Sequence, residues 1–215
     1  MSRLEALPYR CTDTVERGDT RMLRYAITDG NYVTGDGERW AADGVDFVQL
    51  RDKTLDSYQL VTLARQIRET LHAHTPLEGK IPKLLINGRA DIAIAARADG
   101  VHLTTQPEET TPEQVRQLFA SAYVAPPLIS VSAHTLREVE EARENGVDLI
   151  LFAPVFEKRI GEEVVNEGVG LKRLREACVI AKPVRVLALG GVTQEHAAAC
   201  MEVGAAGVAG IRMFV

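Results

Sequence analysis

Eight short apolar runs alternate with longer amphipathic segments between residues 24 and 210. Most of these runs are nearly continuous apolar segments of four to five residues, which is typical of parallel strands covered on both faces. We therefore predict eight buried strands. They are Arg24–Thr28, Asp46–Leu50, Lys83–Ile86, Gly100–Leu103, Leu128–Val131, Asp148–Phe152, Arg185–Leu189 and Gly207–Gly210.

Helix signals lie between these runs. A residue that favours the N-cap or the first turn precedes several of the amphipathic segments, and two segments end at glycine. The predicted start residues and helices are Ser57 before Tyr58–His74, Pro112 before Glu113–Phe119, Thr135 before Leu136–Asn145 and Thr193 before Gln194–Val203.

Regular alternation of this kind predicts an α/β fold, a single (β/α)8 TIM barrel, with functional residues at the C-terminal ends of its strands. A doubly wound open sheet is the rival fold, but eight regular units favour closure. Residues 1–22 are polar and irregular and are expected to form an N-terminal arm, followed by a barrel over residues 23–215. Because Arg212–Val215 directly follows the last run, the last helix is expected to be missing or truncated. The arm, or a second copy in a homodimer, would cover the seam.

The composition excludes several classes of function. The 215 residues carry a net charge of −5, which does not suggest a nucleic-acid surface. No apolar run approaches the roughly 18 residues that span a membrane, and the N-terminal residues lack the apolar segment of a secretory signal. Three widely spaced cysteines argue against a metal or disulfide framework, so a cytoplasmic location is the default.

Glycines at the ends of the last two strands predict a phosphate site. The stretches Val184–Val192 and Gly204–Gly210 read as adjacent buried strands that each end in glycine. Backbone N–H groups at such ends can approach an anion, as in the phosphate sites after strands 7 and 8 of many barrels. We therefore expect a small phosphorylated ligand.

Polar residues at the other strand ends are candidates for chemistry. Gln49, Arg51 and Lys53 alternate on one face and suit a phosphate or pyrophosphate, although a solvated loop explains them equally well. His102 inside the barrel is either structural or functional. His134 follows the fifth strand, where an imidazole, which titrates near neutrality, suits acid–base catalysis better than a capping role.

The long segment before the last two strands and the histidines on the helices have less specific interpretations. The long segment Ala153–Val169 is either a lid over the site or a solvated charge run, and its length favours the lid. His72, His74 and His196 fall on predicted helices and are expected at the surface.

Eight ordered motifs together resemble the thiamin phosphate synthase and thiazole tautomerase superfamily. They cover roughly residues 24–212, and the resemblance implies the same barrel and a small phosphorylated thiazole substrate. The motifs are Tyr25–Asp29, Val48–Lys53, Leu85–Ala93, Ala98–Leu103, Ser130–Leu136, Phe152–Phe156, Leu187–Val192 and Gly204–Val208.

The resemblance is closer to the tautomerase branch. The synthase branch holds magnesium on carboxylates where this chain has Gly88 and Pro107, although a one-residue shift would place Glu108 at the second position. The synthase branch also has threonines in the loop after strand 6, and this chain has instead the segment that begins at Glu157. The tautomerase branch needs no metal and uses a histidine at the position of His134.

The main expectation is therefore a metal-independent 1,3-proton shift on a thiazole carboxylate phosphate, without a cofactor. One alternative is a thiamin phosphate synthase, with magnesium, that couples a pyrimidine pyrophosphate to a thiazole phosphate. The other is a non-catalytic paralogue that binds thiamin phosphate. His134 is the expected catalytic base, and no metal ligand is predicted. The expected substrate-binding residues are Gln49, Arg51, Lys53, Asn87, His102, Ser132, Gly168, Gly190, Gly191, Gly210 and Ile211.

Overall fold

Eight parallel strands close into a barrel, as predicted. The computed structural model describes residues 21–30, 32–104, 109–160, 163–211 and 213–214. The strands are β1 (Leu23–Ile27), β2 (Phe47–Leu50), β3 (Lys83–Asn87), β4 (Gly100–Leu103), β5 (Leu128–Ala133), β6 (Leu149–Phe152), β7 (Lys158–Ile160), β8 (Glu163–Asn166), β9 (Arg185–Ala188) and β10 (Gly207–Gly210). The barrel order is β1-β10-β9-β6-β5-β4-β3-β2, while β7 and β8 form a separate pair.

Helices follow the barrel strands and pack around them. They are α1 (Thr34–Ala42), α2 (Ser57–His74), α3 (Ala90–Ala96), α4 (Pro112–Ser121), α5 (Leu136–Glu144), α6 (Gly170–Ile180) and α7 (Gln194–Glu202). No helix in the described ranges is both long and apolar enough to cross a membrane.

The predicted cap of α2 is wrong by one residue. Asp56, rather than Ser57, is the N-cap, and its carboxylate accepts a hydrogen bond from the Gln59 amide at 2.9 Å. The Gln59 side chain accepts from the Asp56 amide in return, so the two residues form a capping box. Pro112 and Thr135 occupy their predicted positions, whereas Thr193 is an N-cap without a side-chain cap bond.

Alternation along the strands separates two apolar cores. One face of each strand points into the barrel, where Tyr25, Phe47 and Leu151 belong to the inner cluster. The other face packs against the helices, as Val48 and Ile150 do. The inner cluster is filled by side chains, so any ligand must bind above it, at the C-terminal mouth.

The segment Ala153–Val169, predicted to be a lid or a solvated charge run, contains a hairpin. Strands β7 and β8 pair antiparallel within it, and α6 begins directly afterwards at Gly170. Val155 and Phe156 donate amide hydrogen bonds of 2.9 Å to the carbonyl groups of Leu189 and Gly190. The base of the hairpin is therefore tied to the end of β9.

A short turn follows β10. The Trp40 indole donates to the Phe214 carbonyl at 3.0 Å, and the Arg24 guanidinium lies 5.1 Å from the centre of the Phe214 ring. Phe214 is 6% exposed, so this turn covers part of the space beside α1 and β1. Of the predicted N-terminal arm, only residues 21–22 fall within the described residues, and Arg21 pairs there with Asp46.

Candidate functional site

Four polar side chains from four consecutive strands line the barrel mouth. They are Gln49 on β2, Asn87 on β3, His102 on β4 and Ser132 on β5. The Gln49 amide donates to Asn87 Oδ1 at 2.8 Å. Gln49 is only 2% exposed, yet within the described residues its Oε1 has no hydrogen-bond partner. A buried carbonyl oxygen without a donor is costly, so this atom is suited to a donor on a ligand.

A buried hydrogen-bonded chain runs beneath the mouth. The Tyr25 hydroxyl lies 3.0 Å from Ser130 Oγ, which lies 2.8 Å from His102 Nδ1. His102 Nε2 lies 2.9 Å from Ser132 Oγ. Burial, reinforced by the nearby Arg51 cation, lowers the pKa of His102 to about 3. His102 is therefore a neutral hydrogen-bonding group and not an acid–base catalyst at neutral pH.

Arg51 and Lys53 lie in the loop after β2, not on a common strand face as predicted. The strand ends at Leu50, and hydrogen bonds of 2.8 and 3.1 Å between the Arg51 backbone and the Thr28 hydroxyl hold the loop against β1. Arg51 is half-buried, and its guanidinium has no partner in the described part of the chain. Its positive charge disfavours protonation of His102 and so helps to lower the pKa of that ring. Lys53 is exposed.

Backbone conformation and close packing both require glycine in the Gly190–Gly191 turn after β9. Both residues have positive φ, of 85° and 64°, which glycine adopts without strain. A Cβ on Gly190 would lie 2.7 Å from Pro154 Cα, and one on Gly191 would lie 2.6 Å from the carbonyl oxygens of Phe156 and Glu157. The glycines are thus needed for packing against the hairpin base, which the sequence did not reveal.

The backbone amides of this turn are available to a ligand. Among the described residues, the N–H groups of Gly190, Gly191 and Val192 have no hydrogen-bond partner. Successive free amides in a turn with positive φ form an anion-binding concavity. The phosphate anchor at Gly190 and Gly191 stays a prediction, and these amides are suited to it.

The other predicted anchor residues have different surroundings. Gly168 packs within 2.6 Å of Val155 and Phe156, measured from an added Cβ, so its backbone is pressed against the hairpin base. Gly210 ends β10 opposite Ala26, and Ile211 after it is 38% exposed. These positions border the mouth without a polar side chain of their own.

His196, predicted at the surface, is half-buried beside the Gly190–Gly191 turn. Its ring stacks on Phe156 with centroids 3.9 Å apart and planes 11° apart, and its Nδ1 lies 3.2 Å from the Gly191 carbonyl oxygen. The predicted exposure of His72 and His74 is correct. Periodicity along α7 could not find this contact, because Phe156 comes from a distant loop.

His134 directly follows β5 and is exposed. Its Nδ1–H donates to the Ala153 carbonyl at 2.8 Å, and within the described residues its Nε2 has no hydrogen-bond partner. Its backbone amide is held by the Glu138 carboxylate. A fixed tautomer with a free lone pair is the arrangement that a general base requires.

A cavity of about 450 Å³ opens between the two ends of the hairpin segment. It falls within the size range of small-molecule sites. Phe156 lines it and also donates its backbone amide hydrogen bond to the Gly190 carbonyl. Its lining residues are Val155, Phe156, Glu157, Glu167, Gly168 and Gly170.

The described residues do not assemble a magnesium site at the mouth. Gly88 occupies the position at which the synthase branch has a metal-binding carboxylate. The carboxylate of nearby Asp91 accepts hydrogen bonds of 2.6 and 2.8 Å from the Arg89 guanidinium. Glu109 accepts a hydrogen bond from the Thr104 amide at 2.9 Å. No group of three His, Cys, Asp or Glu side chains suited to a metal occurs among the residues that the structure describes. Pro107 and Glu108 lie outside them.

The chain was then compared with known proteins. A model of the thiamine monophosphate synthase family, TMP-TENI, matches residues 25–214. The chain belongs to the thiamine monophosphate synthase family. The predicted superfamily is thereby confirmed, and the chain belongs to a family of thiamin biosynthesis.

Individual members of the thiamine monophosphate synthase family resemble the chain over nearly its whole length. An Aquifex aeolicus protein named "Putative thiamine-phosphate synthase 2" is 36% identical and covers 89% of this chain and 96% of its own. The thiamine-phosphate synthase of Clostridium novyi is 29% identical over 88% of this chain and 89% of its own. These names favour the synthase alternative over the tautomerase reading.

A solved structure supports the fold. Thiamine phosphate pyrophosphorylase from Pyrococcus furiosus superposes with a TM-score of 0.73 at 23% identity, covering 88% of this chain and 85% of that one. At this identity the likeness concerns the barrel alone.

Proposed function

We propose that the chain is a thiamin-phosphate-synthase-type transferase that joins a pyrimidine methyl pyrophosphate to a thiazole phosphate. The observation that carries the proposal is the Gln49 amide. Its Nε2 is bonded to Asn87, and its buried Oε1 has no donor among the described residues. The exocyclic amino group of the thiamin pyrimidine is such a donor, whereas a thiazole carboxylate offers only acceptors.

Two anion sites on different sides of the mouth support a pair of phosphorylated substrates. The free amides at Gly190, Gly191 and Val192 suit the thiazole phosphate. The half-buried Arg51, with Lys53 beyond it, suits the pyrophosphate, since a guanidinium binds phosphate oxygens in a bidentate manner.

The reaction needs few protein groups. The bond between the pyrimidine methylene carbon and the pyrophosphate oxygen breaks, and the pyrophosphate leaves with the electron pair. The lone pair of the thiazole nitrogen then forms the new carbon–nitrogen bond. Arg51 and Lys53 stabilise the leaving negative charge, and the neutral polar ring orients the pyrimidine. No step is assigned to a metal ion, because Pro107 and Glu108, at the second carboxylate position of the synthase branch, lie outside the described residues.

A coupling assay tests the proposal. Purified protein with both substrates should form thiamin phosphate, detected by oxidation to its fluorescent thiochrome. Arg51→Gln should lower kcat/KM by about 100-fold, in the range for loss of a charged contact to a leaving group. Arg137→Gln removes an equal charge from a side chain that is 87% exposed on α5 and should leave the rate unchanged. Binding of thiamin phosphate without any coupling would support the non-catalytic paralogue instead.

The second candidate is the thiazole tautomerase, and the fixed tautomer of His134 favours it. With Nδ1–H bonded to Ala153, Nε2 is free to take and return a proton. Conversion of the thiazole carboxylate phosphate tautomer, followed by NMR, tests this function. His134→Gln should abolish that conversion, whereas the coupling reaction assigns His134 no proton transfer and should tolerate the change.

A further inference from the structure

A second cavity lies on the face of the barrel opposite the candidate site. It has a volume of about 500 Å³ and opens where β3, β4 and β5 begin, between the C-terminal ends of α3 and α4. This volume falls within the size range of small-molecule sites. Most of the lining is apolar, and it includes Ile94, Ala98, Phe119, Val124, Pro126 and Leu128. We call it the basal cavity.

The two helices beside the basal cavity end in an unusual way. Five of the described helices end in one kind of turn, in which the amide after a residue with positive φ donates to the carbonyl group five residues earlier. Gly44, Gly146 and Gly204 hold the positive-φ position after α1, α5 and α7. Arg97 after α3 and Tyr123 after α4 hold it with φ of 55° and 56°. A side chain is disfavoured in this conformation, and residues held in it cluster at ligand sites.

The Arg97 side chain is not needed to end its helix. The carbonyl groups of Ala93 and Ile94 accept hydrogen bonds of 2.9 and 3.2 Å from amides of the turn. The Ala95 carbonyl accepts a hydrogen bond of 2.9 Å from the Arg65 guanidinium. Within the part of the chain that the structure describes, the Arg97 guanidinium has no hydrogen-bond or ion-pair partner. It is therefore available to a ligand.

The lining of the basal cavity carries a net positive charge. The Lys83 ammonium donates to Asp99 Oδ1 at 2.8 Å, and the Leu84 amide donates to Asp99 Oδ2 at 2.9 Å. The carboxylate of Asp99 is thus matched by Lys83, and Arg97 is the unmatched charge of the lining. A guanidinium binds a carboxylate through two parallel hydrogen bonds.

We propose that the basal cavity binds an amphipathic carboxylate, a small molecule with one carboxylate group and an apolar body. The carboxylate pairs with the Arg97 guanidinium, and the apolar body lies against Phe119 and Leu128 between the two helices. The site is independent of the reaction at the mouth, because the two lie at opposite ends of the barrel strands.

An NMR titration of 15N-labelled protein with octanoate tests the proposal, with octanol as the neutral analogue of equal length. Octanoate should shift the amide signals of Ala98 and Val124 and leave those of Gly190 and Gly191 unchanged. It should bind about tenfold or more tightly than octanol, which is the effect of one hydrogen-bonded charge pair. No binding of octanoate, equal binding of octanol, or shifts confined to Gly190 and Gly191 would overturn the proposal.

The variant Arg97→Gly separates binding from folding. It removes the guanidinium and gives the turn the residue that α1, α5 and α7 use. The dissociation constant of octanoate should rise about tenfold or more, while the urea midpoint of unfolding should rise because glycine relieves the positive φ. Arg137→Gln removes an equal charge from a side chain that is 87% exposed on α5 and should leave octanoate binding unchanged. Equal octanoate binding by Arg97→Gly and the wild type, or a midpoint below that of the wild type, contradicts the proposal.

A second copy of the chain is the other occupant that this surface would fit, since Leu118 and Tyr123 beside it are 48% and 96% exposed. Sedimentation should show the same association state for the wild type and for Arg97→Gly. A dimer of the wild type that Arg97→Gly dissociates would assign the basal cavity to contact between copies and would overturn the proposal.

Discussion

Burial of His102 makes the stability of the barrel depend on pH in a defined window. In the folded protein its pKa is about 3, against an ordinary value of 6.5. Below pH 6.5 the unfolded chain therefore binds a proton that the folded chain rejects. Stability from this group is fully present above pH 6.5 and is lost as the pH falls toward 3.

The magnitude follows from the unfolded state. At about pH 5, an imidazole that titrates at 6.5 stabilises the unfolded chain by about 2 kcal/mol through protonation. This free-energy difference hardly depends on the exact pKa of His102 in the folded protein, because any folded pKa well below 5 leaves the native ring neutral. Further acidification adds up to about 1.4 kcal/mol per pH unit until the folded ring is protonated.

Urea unfolding at about pH 7.5 and about pH 5 measures this effect, with His102→Gln as the reference. Other groups titrate over the same range, including Asp148, whose pKa is raised by burial, but they are common to both proteins and cancel in the difference. The wild type should lose about 2 kcal/mol more than the variant on acidification. Equal losses in the two proteins would refute the claim that His102 is held neutral.

Three further changes test the fold around the site. Gly191→Ala places a Cβ on a residue with positive φ, 2.6 Å from two carbonyl oxygens, and should lower the free energy of unfolding in urea by about 2 kcal/mol or more. Gly35→Ala, whose Cβ meets nothing within 4 Å, should be neutral or stabilising. Equal effects of the two changes would contradict the packing argument. Asp56→Ala should cost about 1 kcal/mol by loss of the α2 cap, and no change would mean that Ser57 replaces it. Gly100→Ala places a Cβ 1.8 Å from the Leu128 carbonyl oxygen and should abolish cooperative unfolding by circular dichroism; a native-like transition would show that β4 and β5 can separate.

The barrel could be predicted because its strands are buried on both faces. Short continuous apolar runs at regular spacing are a local signal, and all eight barrel strands appear within a few residues of the predicted bounds. The cap at Asp56 was missed because Asp56 and Ser57 are both good cap residues, and only backbone geometry shows which one ends the extended segment.

The sequence predicts the polar residues of the site but not the contacts between residues that are distant along the chain. Polar residues at strand ends stand out in sequence, so Gln49 and His102 were found. Tyr25 lies inside an apolar run and is typical of a core residue in sequence, and its hydroxyl contacts Ser130 on a strand more than 100 residues away. The contact of His196 with Phe156 is equally non-local. Position along a strand predicts which residues reach the mouth, but not which of them bond to one another.

The neutrality of His102 limits what can control this site. With His102 uncharged and the Arg51 guanidinium permanently charged, the floor of the mouth keeps a constant charge through neutral pH. The free backbone amides of the Gly190–Gly191 turn do not titrate. Coupling does not use His134, whereas tautomerisation requires its free Nε2. The rates of the two candidate reactions, measured in the wild type and in His134→Gln, therefore separate them at the residue where they differ.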